Sequence, residues 1–276
     1  MTLAILILAL LPSVFPATPE DHRPAMRKAA ELLIKADGNL DKLFFTRRRE
    51  TRELDAAGTV KSKEAVTVRR DPYEDLVVTR VIARNDKPLS QEEIKEQEET
   101  IRKGIASYRE KLAKQGPSKP APKKDDDDEK ALMREFPEAV DFTFVGPESF
   151  RGRDGLAYTF VPRPGYSPKS MKSRMFEKMR GRCILDKATG ELVFVDAEIF
   201  DNLSLAFGLA AKVTKGTTFR LTRVEAAPGI WVEEDMHARF SARIMLFKNM
   251  RQEVSTRYTE FRPRPPKSQS EARAAN

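Results

Sequence analysis

Cysteine is almost missing from this chain, and that scarcity bears on several functional classes at once. The only cysteine is Cys183, so no disulfide can form within the chain and stability has to come from burial. No cysteine stands near Ala17, where a lipid-anchored bacterial lipoprotein would need one. Cys183 itself lies in Gly181-Arg182-Cys183-Ile184-Leu185, among apolar neighbours, and reads as a buried structural thiol rather than a nucleophile. Histidine is nearly as scarce. His22 and His237 are the only two and have no i, i+4 partner, so neither a metal site nor a cofactor is expected. A G-x-S-x-G nucleophile elbow, H-E-x-x-H, G-x-G-x-x-G and a P-loop are absent. Carboxylates are plentiful, most densely at Glu233-Glu234-Asp235 and Glu92-Glu93, but among 42 acidic residues chance pairs are expected. The chain reads as non-enzymatic, with a cell-wall or lipid hydrolase as a further alternative.

An apolar run of the ~20 residues that cross a bilayer is also lacking. The longest is Leu3–Leu11 within MTLAILILALLPSVFPA, ended by Pro12 and followed by Ala17 ahead of the first charged residues. That length suits a secretory leader. The expectation is a signal peptide at 1–17 and a chain that is periplasmic or secreted and soluble after cleavage. The net charge of +8 would suggest nucleic acid inside a cell. Behind a leader it points instead to an anionic membrane surface or cell-wall polymer, with an ordinary basic, soluble surface as the plain alternative. Arg47-Arg48-Arg49 and Arg52 follow Phe44-Phe45 on a predicted strand, without the mid-strand aromatics and flanking glycines of an RNA-binding sheet. They read as a solvated outer face, and no nucleic-acid partner is expected.

What is present is mostly strand, and an apolar fraction of 40% supports a sizeable core. Pro24–Ala36 predicts a short amphipathic helix ending at Asp37-Gly38. Phe44–Leu54 and Thr59–Arg70 flank Asp55-Ala56-Ala57-Gly58 as a long hairpin, and Glu74–Arg84 adds a third strand. Ser90–Lys114 is the clearest helix, with Ser90 and Glu93 as a capping box. Its single apolar stripe of Ile94, Ile101, Ile105, Tyr108 and Leu112 predicts docking on a sheet, with a dimer seam as the minority reading.

Residues 115–128, QGPSKPAPKKDDDD, read as a linker insertion, and the four aspartates lack the alternation of an EF-hand loop. Strands follow at Val140–Val145, Gly155–Pro162, Gly181–Leu185, Glu191–Phe200, Thr217–Ala226, Trp231–Lys248 and Arg251–Phe261. A short basic helix is expected at Ser167–Arg180, and an irregularity near Glu234-Asp235. Ala238, Phe240, Ala242, Ile244 and Leu246 alternate with Arg239, Ser241 and Arg243, the mark of an antiparallel sheet with one apolar and one wet face. A Pro-rich basic tail, 263–276, reads as disordered. Residues 18–262 are then a single domain, expected to be monomeric. Its fold class is mainly β with helical additions (α+β), with one large curved antiparallel sheet forming an incomplete β-barrel.

This order resembles the outer-membrane lipoprotein carrier superfamily, the LolA-like and LolB-like proteins and related periplasmic sensor domains. The matching parts are the Pro24–Ala36 helix, the Phe44–Arg70 hairpin, the Glu74–Arg84 strand with its following helix, and the closing strands to Phe261. Segments such as Ala83–Ser90, Ala211–Thr217 and Tyr258-Thr259-Glu260-Phe261 are similar to those of a group of exported bacterial proteins. The resemblance implies helices covering a concave apolar face. It also implies a ligand that is a lipid, acyl chain or lipidated peptide. Phe142, Phe144, Phe219, Leu221, Phe240 and Ile244 are the expected wall residues. In the alternative, an envelope interaction or sensor module, Ile101, Ile105 and Tyr108 would meet a protein partner.

Overall fold

The computed structural model describes residues 21–115, 124–204, 211–244 and 248–265. The leader, the centre of the expected linker, Leu246 and most of the tail lie outside the described residues. Helix α1 (Arg23–Lys35) opens with Pro24 in its first turn, where a missing N–H is tolerated, and buries Met26 and Ala29 on one face. Gly38 takes a left-handed φ of 80° and hands the chain to a 3-10 turn at Asn39–Lys42. The buried Asn39 amide donates to the Trp231 carbonyl at 3.0 Å and ties this corner to a strand 192 residues away.

Strands β1 (Leu43–Leu54) and β2 (Val60–Tyr73) form the expected hairpin. The Asp55 carboxylate closes its turn by accepting from the N–H groups of Ala57 and Thr59, each at 2.8 Å. β3 (Leu76–Arg84) and the two-residue β4 (Lys87–Pro88) follow. Helix α2 (Gln91–Gln115) begins with the capping box: the Ser90 N–H donates to Glu93 Oε2 at 2.7 Å, and the Glu93 N–H to Ser90 Oγ at 3.2 Å.

Two expectations are corrected. Helix α3 (Lys124–Ala139) takes in the end of the expected linker, so the acidic run is helical from its start. Carboxylates in a first turn favour a helix through its dipole, and Leu132, Met133 and Phe136 supply an apolar face behind them. Between Ser167 and Arg180 only a 3-10 turn, Ser173–Lys178, forms. The hydroxyls of Ser170 and Ser173 bond to each other's backbone and compete with the helical ladder.

The remaining strands are β5 (Val140–Phe150), β6 (Arg153–Pro162), β7 (Met179–Asp186), β8 (Leu192–Ile199), β9 (Leu203–Ser204) and β10 (Ala211–Val213). They continue with β11 (Thr217–Ala227), β12 (Ile230–Ile244) and β13 (Lys248–Pro263). The order across the sheet is β4-β3-β2-β1-β13-β12-β11-β8-β7-β6-β5, with β10 beside β12 and β9 beside β10. Every described pairing is antiparallel. The two ends of that order do not meet. The fold is an α+β incomplete barrel.

Helices α1 and α3 are joined by Arg27–Glu138, Arg134–Glu31 and Lys130–Asp37 and pack together on the β5–β8 half. Met26, Ala29, Phe136, Tyr158, Phe160, Phe176, Cys183 and Leu185 make this core. Burying each large side chain contributes ~1.5–3 kcal/mol. Phe136 stands edge-on to Phe160, with ring centres 5.2 Å apart.

Candidate functional site

Cross-strand partners point to the same side of a sheet, so the register sorts side chains by face. One row runs Phe142–Phe160–Gly181–Ala197–Phe219–Ala238–Val254–Thr51–Glu64 over nine strands. The next row is Phe144–Tyr158–Cys183–Val195–Leu221–Met236–Thr256–Arg49–Val66. Both lie on the side that α1 and α3 cover over β5–β8. Each row starts aromatic at β5–β6, and polar or charged residues enter it at β13 and β1, with Phe219 an aromatic exception in the middle of the first row.

The expected wall residues divide along these rows. Phe142 is packed into the core under α3, its ring 5.8 Å from Phe136 and 6.0 Å from Phe160. Leu221 is buried at the centre of the sheet. Phe144 is 41% exposed on the edge strand β5, against Tyr158 and His22. Phe219 is half-buried, and Phe240, two residues along from its partner Ala238, is 43% exposed. Ile244 is the last residue of β12, and its side chain lies outside the described residues. The structure therefore brings Phe219 and Phe240 together with Met236 on an apolar stretch, while Phe142 and Phe144 stand at the far edge.

Beside that stretch are two residues the sequence reading assigned to a solvated outer face. Period-two alternation splits the arginine triplet. Arg48 faces outward with Arg52, and both bond the buried Glu50 carboxylate. Arg47 and Arg49 share the other face with Met236, and neither has an acidic partner among the described residues. The Arg47 Nε is buried without a hydrogen bond among the described residues. The outward face behaves differently. There Arg180–Glu198, Arg220–Asp196, Arg239–Glu253 and Arg257–Asp235 are direct cross-strand neighbours joined as ion pairs. Arg47 and Arg49 on the inward face of β1 stand outside this pattern.

A second concavity lies at one end of the covered face. Its volume is about 240 Å³, and it is walled by α1 and its turn, by α3, and by β11 and β12. The expected irregularity falls here: Thr222 faces Asp235 and Arg223 faces Glu233, so Glu234 is an extra residue. Arg223 is 2% exposed, and its Nη1 donates to Glu191 Oε2 at 2.7 Å and to the Leu192 carbonyl at 3.1 Å. Its Nη2 is buried with no partner among the described residues. Burial pushes the Glu233 carboxyl above the usual carboxylate range; Arg223 opposes the shift and Glu129 adds to it. Neither Arg223 nor Glu233 was singled out as a binding residue from sequence, although the irregularity was the local signal.

Cys183 is 2% exposed, and burial pushes its thiol up to about 12, which removes it as a nucleophile. No three His, Cys, Asp or Glu side chains come together as metal ligands among the described residues. No described helix is long and apolar enough to cross a membrane.

No family model and no curated protein matches the chain. Solved structures do. An outer membrane lipoprotein-sorting protein domain from Vibrio parahaemolyticus aligns at 12% identity over 91% of this chain and 100% of its own, with a TM-score of 0.31. A LolA superfamily protein from Nitrosomonas europaea aligns at 9% identity over 90% of this chain and 96% of its own, with a TM-score of 0.29. The Pseudomonas aeruginosa MucA/MucB complex contributes a chain at 10% identity, covering 86% of this one and 99% of its own, with a TM-score of 0.22.

Proposed function

We propose that this chain is a non-enzymatic binding protein for an amphiphile: a lipid, an acyl chain or a lipidated peptide. The ligand lies on the inward face of the open sheet, and the protein works in the periplasm or outside the cell. The observation that carries the reading is an apolar stretch of exposed Phe240 and half-buried Phe219 and Met236, one strand away on the same face from Arg47 and Arg49, which have no acidic partner among the described residues. Burying an acyl chain on such a surface stabilises the complex by ~0.8 kcal/mol per CH₂ and needs no reacting group. An anionic head suits the two guanidinium groups, which donate to carboxylate or phosphate in a bidentate fork.

The test is native mass spectrometry of protein purified without detergent, followed by titration with a pyrene-labelled fatty acid. A retained lipid and saturable binding are expected. The Phe240→Asp variant should bind roughly tenfold more weakly at an unchanged circular dichroism spectrum. Arg47→Ala with Arg49→Ala should weaken the fatty acid but spare its neutral alcohol. Absence of both retention and titratable binding overturns the reading.

One observation favours a second reading, in which α2 meets an envelope protein. No side chain described in α2 is buried, and Tyr108 is 49% exposed on the apolar stripe with Ile101 and Ile105. Loss of a specific captured partner on making Ile101, Ile105 and Tyr108 polar supports this; unfolding of the isolated protein by the same changes counts against it.

A further inference from the structure

We infer that the pocket between α1, α3 and the β11–β12 irregularity is a second binding site, separate from the inward sheet face. It takes a small neutral molecule with an amide-type polar end and a short apolar body. Three properties of the pocket carry this. The first is an unmet donor. Arg223 is 2% exposed, its Nη1 is committed to Glu191 and Leu192, and its Nη2 is buried with no acceptor. Leaving a buried donor of a charged group without an acceptor is costly, and an acceptor supplied by a ligand removes that cost.

The second is an adjacent acceptor. Glu233 is the direct cross-strand partner of Arg223, lines the same pocket, and makes no hydrogen bond among the described residues. Donor and acceptor side by side match a group that presents a carbonyl oxygen next to an N–H.

The third is charge. The other cation on the wall, Lys130, is bonded to Asp37 at 2.8 Å, and Arg223 is bonded to Glu191. A free carboxylate could accept from Arg223 Nη2 but would be repelled by Glu233 and Glu129, with the charges of both cations already matched by Glu191 and Asp37. A free ammonium would satisfy Glu233 and leave Nη2 unmet beside it. A neutral donor–acceptor group answers both. Leu40, Met133 and Trp231 supply apolar wall for the rest of the molecule. The 240 Å³ available, at ~30 Å³ for each water-sized group, admits about eight such groups.

Hexanamide is a fitting probe, with hexanoate and hexylamine as its anionic and cationic counterparts. Saturation-transfer NMR and calorimetry on the full chain should show hexanamide binding at least tenfold more tightly than either. Met133→Trp, which fills the pocket, should abolish hexanamide binding. Glu233→Leu should weaken it about tenfold with the circular dichroism spectrum unchanged, which separates loss of the acceptor from loss of fold. The fatty-acid titration at the sheet face should survive Met133→Trp, so the two sites stand or fall separately. Equal binding of all three probes, hexanamide binding unaffected by Met133→Trp, or no binding at millimolar concentration, the pocket then holding water only, overturns the inference.

Discussion

The side-chain amide of Gln97 in α2 accepts from the Val81 N–H at 2.8 Å and donates to the Val81 carbonyl at 3.0 Å, so one residue continues the cover of the β3 edge where the two-residue β4 ends. An unpaired strand edge invites association with other chains, and covering it is how soluble proteins prevent that. Ion pairs add to the attachment, Arg109 to Glu74 and Asp75 on the exposed surface and Glu98 to the half-buried Arg80. Such pairs add little.

Gln97→Ala should therefore release α2 while leaving the main sheet standing. The two lost hydrogen bonds are together worth about 1–2 kcal/mol. Hydrogen exchange should show the Val81 amide losing protection, and sedimentation should show new self-association at high concentration. Unchanged protection at Val81 would mean that α2 is held by something other than this amide.

Gly181 is fixed by close approach rather than by backbone conformation. A Cβ there would lie 2.2 Å from the Asp196 carbonyl oxygen and 2.7 Å from Cζ of the Phe160 ring. Neither β8 backbone nor a ring wedged under α3 can give way cheaply. Gly181→Ala should lower stability by about 3 kcal/mol, at the upper end of overpacking effects, read as a fall in the urea midpoint. A near-neutral result would show that the β7–β8 interface repacks.

Glu50 makes stability depend on acid. Burial alone would raise its carboxyl, but hydrogen bonds from Arg48, Arg52 and Lys63 overcome that and bring it from 4.5 down to about 2. A carboxyl more acidic in the folded chain than in the unfolded one stabilises the fold where both forms are ionised. That contribution is complete above about pH 4.5 and is lost as the pH falls towards 2, amounting to roughly 2–3 kcal/mol. Glu50→Gln should destabilise the protein at pH 7 and flatten its stability profile between those limits. A variant profile parallel to the parent would assign the acid sensitivity to other groups.

Cys183 should be silent to thiol reagents in the native state, since its thiol is buried and held protonated to about 12. Labelling with a disulfide reagent should give no colour in buffer and one equivalent in guanidinium. Labelling at the unfolding rate would report global opening; fast labelling would show that the α1–α3 cover lifts locally.

Much of this fold can be read locally. The β1–β2 hairpin is written in Asp55 and Gly58, the start of α2 in Ser90 and Glu93, and the β12 irregularity in three consecutive acids that break an alternating strand. Helix α3 escaped because Asp125–Asp128 has the composition of a solvated tract, and only the apolar residues a turn later convert it into a helix start. Ser167–Arg180 carries helical spacing, yet two serines bond the backbone first. The arginine triplet states by alternation that Arg47 and Arg49 share a face. Which face it is depends on β13 lying beside β1, and no local pattern records a pairing between residues 200 positions apart. Arg223 and Glu233 face each other across a local hairpin, yet their match depends on where the extra residue falls in β12.

The order of strands also sets a schedule. β1, the first strand made, is bonded on one side to β2 and on the other to β13, the last. Until β13 exists, the β4–β1 portion and the β12–β5 portion have no backbone connection through the sheet. A nascent chain can form its first hairpin early, but two open edges wait for the final strand. Contacts of such long separation form slowly and leave those edges vulnerable meanwhile. The inward-facing Arg49 and Met236 become neighbours only through Thr256, so the surface between them comes into being with the last strand.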